Sequence, residues 1–267
     1  MVRAPRFAAG RARALGLPTR GTTNPNRLRR VDRWVGWFYG GIVERGDDPL
    51  VIDLGYGASP VTTVEMAARL RRIRADVRVL GLELDAERVA AGVAVADPPW
   101  LEFRRGGFEF AGRRPVLVRA FNVLRQYTEE QAWEAWDTMT SRLAPGGVLV
   151  EGTCDEIGRR CAWVSLTADG PRTFTLSCLP ADLDTPGDLA ERLPKTLIHR
   201  NVEGERVHAL LTDLDTCWAT AAPFAPFGPR ARWVETITLL ARTWPVLDTR
   251  KRWRLGEMTV PWDAVSP

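Results

Sequence analysis

Two short stretches of this 267-residue chain hold residue types whose spacing could do chemistry. The first is VIDLGYGASP, Val51 to Pro60: an apolar run carrying Asp53, followed by Gly55 and Gly57. Glycines spaced this way let a chain leave a strand in a tight turn and let a ligand approach its backbone. Ser59 then reads as a helix N-cap and Pro60 as the first helical position. A dinucleotide fingerprint, G-x-G-x-x-G, needs glycine at position 60. Proline there removes an amide donor from the helix end that would cradle a pyrophosphate. A P-loop is excluded more firmly, because no G-K-[ST] follows. The second stretch, GLELD, ends a strand at Glu83, 30 residues after Asp53. A carboxylate at that strand end can accept hydrogen bonds from two ribose hydroxyls, while Asp85 caps the following helix. Together the two stretches imply a nucleoside ligand without phosphate.

Residues of this kind work only if regular elements bring them to one edge of a sheet. The segment TTNPNRLRRVDRWVGWFYGG predicts an amphipathic helix with Asn24 as N-cap and Pro25 at its first position. Leu28, Val31, Trp34, Val35 and Phe38 fall on one face, and Gly40-Gly41 ends it. PLVIDL, DVRVLGLE, WLEFRR, RPVLVRAF and GGVLVEGT read as strands. TTVEMAARLRRI, AERVAAGVAVA and TEEQAWEAWDTMTSRL lie between them as helices, the last capped by Thr128 with Gln131 three residues on. Such β-α alternation predicts an α/β fold with a parallel sheet covered on both faces. Further on, CAWVSLTADGPRTFTLSCL predicts a hairpin around Asp169-Gly170, and helices are expected over 205–221 and 229–243. The expected organisation is a basic, partly disordered arm over 1–23, a ligand-binding core with its cap helix over 24–160, and a sheet-completing, substrate-covering extension of the same domain over 161–267.

Net charge is only +4, but residues 1–39 hold nine arginines against Asp32 alone. Lys195 and Lys251 are the only lysines, a bias that reads as a GC-rich, bacterial genome. The arm nevertheless leaves nucleic acid open as a partner through residues 1–33. Cys154, Cys161, Cys178 and Cys217 form no C-x-x-C pair, and His199 and His208 are too scattered for zinc, so no metal site is expected. The thiols read as reduced and the chain as cytoplasmic. No apolar run reaches the roughly 18 residues a membrane span needs, and no secretory signal is evident.

These motifs resemble those of class I S-adenosylmethionine-dependent methyltransferases, over about residues 50–153. VIDLGYGASP matches the family's first motif and VLGLELD its second. RRGGF stands near the third, VLVRAFNVL on the fourth strand, and RLAPGGVLVEGT at the turn into the fifth. The arm and RGTTNPNRLRR are also similar to a group of uncharacterised actinobacterial methyltransferases. The resemblance implies a Rossmann-like doubly wound, mostly parallel sheet with an N-terminal helical cap and a C-terminal α+β extension. It implies that Gly55, Tyr56 and Gly57 line the methionine and ribose, with Ser59 at the helix start. Asp53 would order the amino group, Glu83 hold the ribose, and Leu84 pack on the adenine. Glycine at 106 and 107 replaces the acid the family often uses for the adenine amine, leaving Gly107, Phe108 or Glu109 for that contact. Thr23 and Asn24 would reach the cofactor carboxylate. Asn122, with Arg119 and Phe121 beside it, falls where the acceptor cleft opens. Trp133 and Trp136 read as core, and Trp218, Trp233 and Trp244 as candidates to cover the substrate.

A small-molecule acceptor is the expected class. An RNA or DNA methyltransferase using the arm, and a non-catalytic S-adenosylmethionine-binding protein, stay open beside it. One further motif, Asp97-Pro98-Pro99-Trp100, is similar to the catalytic loop of adenine-amino methyltransferases. It precedes the third strand rather than following the fourth, so it reads as a turn that stops a helix.

Overall fold

A computed structural model describes residues 23–267. The arginines at positions 3, 6, 11, 13 and 20, and the partial disorder and nucleic-acid contact expected of residues 1–22, lie outside the described residues.

Five apolar runs form parallel strands: β1 (Leu50–Leu54), β2 (Arg78–Glu83), β3 (Leu101–Arg105), β4 (Leu117–Phe121) and β5 (Val148–Cys154). The inner residues of β1, β2, β4 and β5 are buried from both faces, which is why these strands read as near-continuous apolar runs, whereas β3 buries only Leu101 and Phe103. Three antiparallel strands continue the same sheet: β6 (Arg160–Thr167), β7 (Gly170–Cys178) and β8 (Glu257–Pro261). The order is β3-β2-β1-β4-β5-β6-β7-β8. This is an α/β doubly wound, mostly parallel sheet, with the predicted hairpin at β6 and β7. β8 escaped the sequence reading. Five residues ending in proline give little periodicity, and an edge position is where a strand tolerates that residue.

Both faces are covered. On one lie α1 (Arg29–Phe38), α3 (Val61–Leu70) and α4 (Ala86–Val93), packed around Val51, Val79, Phe103, Val150 and Trp163. On the other lie α5 (Glu129–Thr140), α6 (Arg206–Thr220) and α7 (Pro229–Leu240), against Ile52, Leu80, Val118 and Leu149. The last two match the expected helices within a few residues. The predicted capping box is present: Thr128 Oγ1 accepts from the N–H of Gln131 at 3.2 Å, and the Gln131 side chain accepts from the N–H of Thr128 at 3.0 Å.

The N-terminal helix starts later than read. Asn26 takes a left-handed φ of 61°, so residues 25–28 form a turn and α1 begins at Arg29. Asn24 therefore caps nothing; its side chain donates to the carbonyl of Glu156 at 2.8 Å. Nor do the glycines end the helical path, since α2 (Gly40–Arg45) follows at once. The expected buried face holds, with Val31, Trp34 and Val35 in the core.

Asp97-Pro98-Pro99-Trp100 lies beyond the end of α4 and before β3. The N–H groups of Trp100 and Leu101 both donate to the Asp97 carbonyl at 2.9 Å, closing a turn. It sits at the amino end of β3, the opposite edge of the sheet from the glycine turn after β1.

Candidate functional site

Strand order reverses between β1 and β4, and a doubly wound sheet opens its crevice at the carboxyl ends beside such a switch point. The residues singled out from the sequence gather there.

Gly55 and Gly57 both take left-handed φ, 68° and 83°. A Cβ on Gly55 would stand 2.8 Å from Val123, and one on Gly57 2.9 Å from Thr23 Oγ1, so conformation and crowding both demand glycine. The Tyr56 ring turns into the core, edge-on to Phe103 with centroids 5.4 Å apart, and leaves only its backbone at the turn. Ser59 stands one residue before the helix start assigned to it: Pro60 occupies the cap position of α3, and the N–H of Val61 reaches Ser59 Oγ at 3.4 Å.

Glu83 ends β2 beneath this turn, 8% exposed. One of its oxygens accepts the N–H of Gly57 at 3.0 Å and the other that of Leu84 at 2.8 Å, with Arg88 3.6 Å away. The oxygen that accepts Leu84 also takes the N–H of Asp85 at 3.5 Å, whereas the oxygen that accepts Gly57 keeps a second lone pair, so these bonds aim Glu83 and leave one site on it. Asp85 accepts from the N–H groups of Glu87 and Arg88, as expected of a cap.

Past β3, Glu109 folds back to accept the Gly107 N–H at 2.7 Å. Leu84 lies alongside, 3.4 Å from where a Gly107 Cβ would stand, and the Phe108 ring tilts against Tyr127 at 5.8 Å. Apolar surface and an exposed carboxylate thus meet at one end of the crevice. Phe110, Ala111 and Gly112 follow with φ of 54°, 49° and 74°, a left-handed turn that two side-chain-bearing residues adopt at a cost.

Asn122 stands at the end of β4, also left-handed at φ 60°. Its Oδ1 accepts the Cys154 N–H at 3.1 Å and its Nδ2 donates to Cys154 Sγ at 3.3 Å. The two neighbours grouped with it do not open onto a cleft. Phe121 is buried against Trp163, and Arg119 is 1% exposed beneath the sheet's surface.

Arg119 instead builds a buried charge network that sequence reasoning missed. Its Nε and Nη2 donate to the two oxygens of Asp53 at 2.9 and 2.7 Å, its Nη2 also to the Thr62 carbonyl at 3.0 Å, and its Nη1 to Asp32 of α1. Thr63 Oγ1 adds a bond to Asp53 at 2.6 Å. Burial pushes the Asp32 carboxyl up, and Arg119 and Arg69 pull it back only in part. Burial likewise opposes the Arg119 charge, but the two aspartates outweigh it and hold the guanidinium charged. Both Asp53 oxygens face this network. The one available signal was Asp32 itself, the lone acid of an Arg-rich helix, on its buried face.

A strap closes the site. Thr23 Oγ1 donates to the Tyr56 carbonyl at 3.0 Å, Asn24 to Glu156, and Arg27 Nε to the Asp155 carbonyl at 2.7 Å. Residues 23–27 therefore run across the carboxyl ends of β1 and β5. The tryptophans named as covers lie elsewhere: Trp218 and Trp233 are buried, the former stacked under Arg232 at 3.9 Å, and Trp244 donates to Asp213. Trp133 and Trp136 pack against Trp262. His199 and His208 are hydrogen bonded to Lys195 and Asn201, away from the crevice.

No family model matches the chain, and no curated protein does. Solved structures with partial likeness include the magnesium protoporphyrin IX methyltransferase ChlM from Synechocystis PCC 6803 with bound SAM, at 19% identity and a TM-score of 0.34, over 48% of this chain and 60% of that one. A putative methyltransferase from Thermobifida fusca matches at 16% identity and TM-score 0.39, over 48% and 51% of the two chains. DesVI of Streptomyces venezuelae matches at 17% and 0.35, over 59% and 71%. The chain spans 60% of the length of ChlM and 34% of that of a pericyclic reaction enzyme it also resembles. At these scores the likenesses decide nothing about activity. Among the described residues no group of three metal-ligating side chains occurs and no helix is long and apolar enough to cross a membrane.

Proposed function

We propose that this protein is an S-adenosylmethionine-dependent methyltransferase acting on a small-molecule acceptor. The observation that carries the reading is Glu83, a buried carboxylate aimed by backbone amides at the glycine turn of the switch point. The free lone pair on the oxygen that accepts Gly57 suits a ribose hydroxyl, and Pro60 makes the adjacent helix start a poor phosphate cradle. Leu84, Gly107 and Phe108 supply apolar surface for a purine, and Glu109 an acceptor for its amino group. Thr23, Asn24 and the backbone of Gly55 to Gly57 supply polar groups for an amino-acid tail. Asp53 acts on that tail by fixing the turn through Arg119 and Thr63.

The sulfonium of such a cofactor supplies an already activated methyl group. What remains for this chain is to align a nucleophile and exclude water, which the strap over 23–27 and Asn122 at the crevice floor favour. No histidine near the crevice offers a general base, consistent with an acceptor that needs little deprotonation or that brings its own.

Calorimetric titration with S-adenosylmethionine, S-adenosylhomocysteine and NADH tests the reading. Micromolar binding of both sulfur nucleosides is expected. Glu83→Ala should weaken it at least about tenfold, the worth of one hydrogen bond to a charged acceptor. Tight NADH binding with neither sulfur nucleoside bound would sink the proposal.

A further inference from the structure

Cys154 and Cys161 are direct partners in the antiparallel register of β5 and β6. The next pair outward, Asp155 and Arg160, is joined by a backbone bond of 3.0 Å from the Asp155 N–H. Pairs alternate along such a ladder, so Cys154–Cys161 is a non-hydrogen-bonded pair, the kind whose Cα atoms approach to about 4.5 Å. That separation falls inside the roughly 4.4 to 6.8 Å a disulfide spans. Both side chains point to the face that carries Trp163 and both are buried.

The surroundings make the two thiols unequal. Burial opposes ionisation of Cys154, but a hydrogen bond with Cys161, the Arg27 guanidinium and the Asn122 amide together bring it down to about 7. The same hydrogen bond, with burial, pushes Cys161 well up. Cys178 and Cys217 are both raised by burial, and neither faces another cysteine in the sheet. An acidic thiol beside a resolving one is the arrangement that redox-responsive cysteines use.

We propose that Cys154 and Cys161 are a dithiol that hydrogen peroxide closes to a disulfide, and that the nucleoside crevice senses the closure through Asn122. The Cys154 sulfur attacks one peroxide oxygen, the O–O bond breaks, and water leaves with the thiol proton, giving a sulfenic acid. The Cys161 sulfur then attacks the Cys154 sulfur; the S–O bond breaks, and the departing hydroxide takes the Cys161 proton as a second water. Two thiols lose two electrons and the peroxide gains them. Closure draws the Cys154 sulfur towards Cys161 and makes it a weaker acceptor for Asn122 Nδ2, at the residue whose left-handed backbone ends β4 beside the crevice. The strap over 23–27 covers the pair, so peroxide enters when the strap lifts. The coupling to the crevice rests on the methyltransferase reading; the dithiol does not.

The full chain is treated with graded hydrogen peroxide under native conditions, free thiols are alkylated, and peptides are mapped by mass spectrometry. A Cys154–Cys161 cross-linked peptide is expected as the first product, with Cys178 and Cys217 still alkylated. Cys161→Ser should stop at sulfenic or sulfinic acid on Cys154. Oxidation of Cys217 ahead of the pair, or of Cys154 without a cross-link in the unmodified chain, would overturn the dithiol. In parallel, oxidised protein should bind S-adenosylhomocysteine about tenfold more weakly than reduced protein, the loss expected from one disturbed hydrogen bond, with recovery on adding dithiothreitol. Equal affinity in a cross-linked sample overturns the coupling alone. If reduced protein binds no sulfur nucleoside, the coupling and the methyltransferase reading fall together, and the peptide map still decides the dithiol.

Discussion

Arg119 carries more of this site than any residue with an obvious chemical role. It joins Asp53 under the glycine turn to Asp32 on α1, with both aspartates buried. Removing one partner of a buried ion pair leaves an uncompensated charge, which costs about 3 to 5 kcal/mol. Arg119→Met should therefore lower unfolding free energy by that order in urea titration and weaken sulfur-nucleoside binding as well. Glu151 makes a second, pH-dependent prediction. It is fully buried on β5; Trp136 Nε1 donates to one oxygen at 3.3 Å and the other has no partner. Burial pushes its pKa up to about 8 against an ordinary 4.5. The folded chain then holds a proton that the unfolded chain releases, so stability is full below the ordinary carboxylate range and falls as pH rises towards 8. Glu151→Gln keeps an acceptor for Trp136 and carries no charge. It should match the parent near pH 4 and exceed it by a few kcal/mol near pH 9, read from thermal melts at both values.

Elements show where local chemistry is enough. The Thr128–Gln131 capping box was legible because its signal lies within four residues, and Thr128→Ala should cost about 1 kcal/mol in denaturant unfolding. The β1 turn was legible for the same reason: Gly55 and Gly57 announce left-handed backbone by residue type. Gly57→Ala should destabilise the fold by about 1 to 2 kcal/mol, because φ is 83° and the new methyl meets Thr23. It should also loosen the strap, detectable as faster amide exchange at residues 23–27. The start of α1 was misread because Asn24-Pro25 is a valid local cap. Contacts distant in sequence overrule it: the Asn26 N–H binds Glu65 at 2.8 Å, its side chain binds Arg69 at 2.9 Å, and Asn24 reaches Glu156.

At the scale of the molecule, the β5–β6 join holds the sheet together. β5 would be an edge without β6, exposing a run of apolar and polar groups that now pair across six residues. A chain ending at residue 158 retains all five parallel strands and most of the proposed nucleoside contacts. It should nevertheless aggregate or stay molten, with lost near-ultraviolet dichroism and a broadened elution profile, because Trp163, Val164 and the β6–β8 strands close both cores.

The residues of this chain determine, by themselves, the β-α alternation, the glycine turn and the carboxylate at the end of β2, because each is written in types and spacings only a few positions apart. Tertiary structure alone decided that Arg119 is an internal counter-ion rather than a cleft residue, that Asn122 grips Cys154, and that Cys154 faces Cys161. These outcomes depend on strand register and on which groups meet once desolvated, pairings between positions 32 and 119, 122 and 154, that no local pattern encodes. Burial turned a basic helix with one acid into an anchor for the site, and the register of β5 with β6 set two thiols opposite one another.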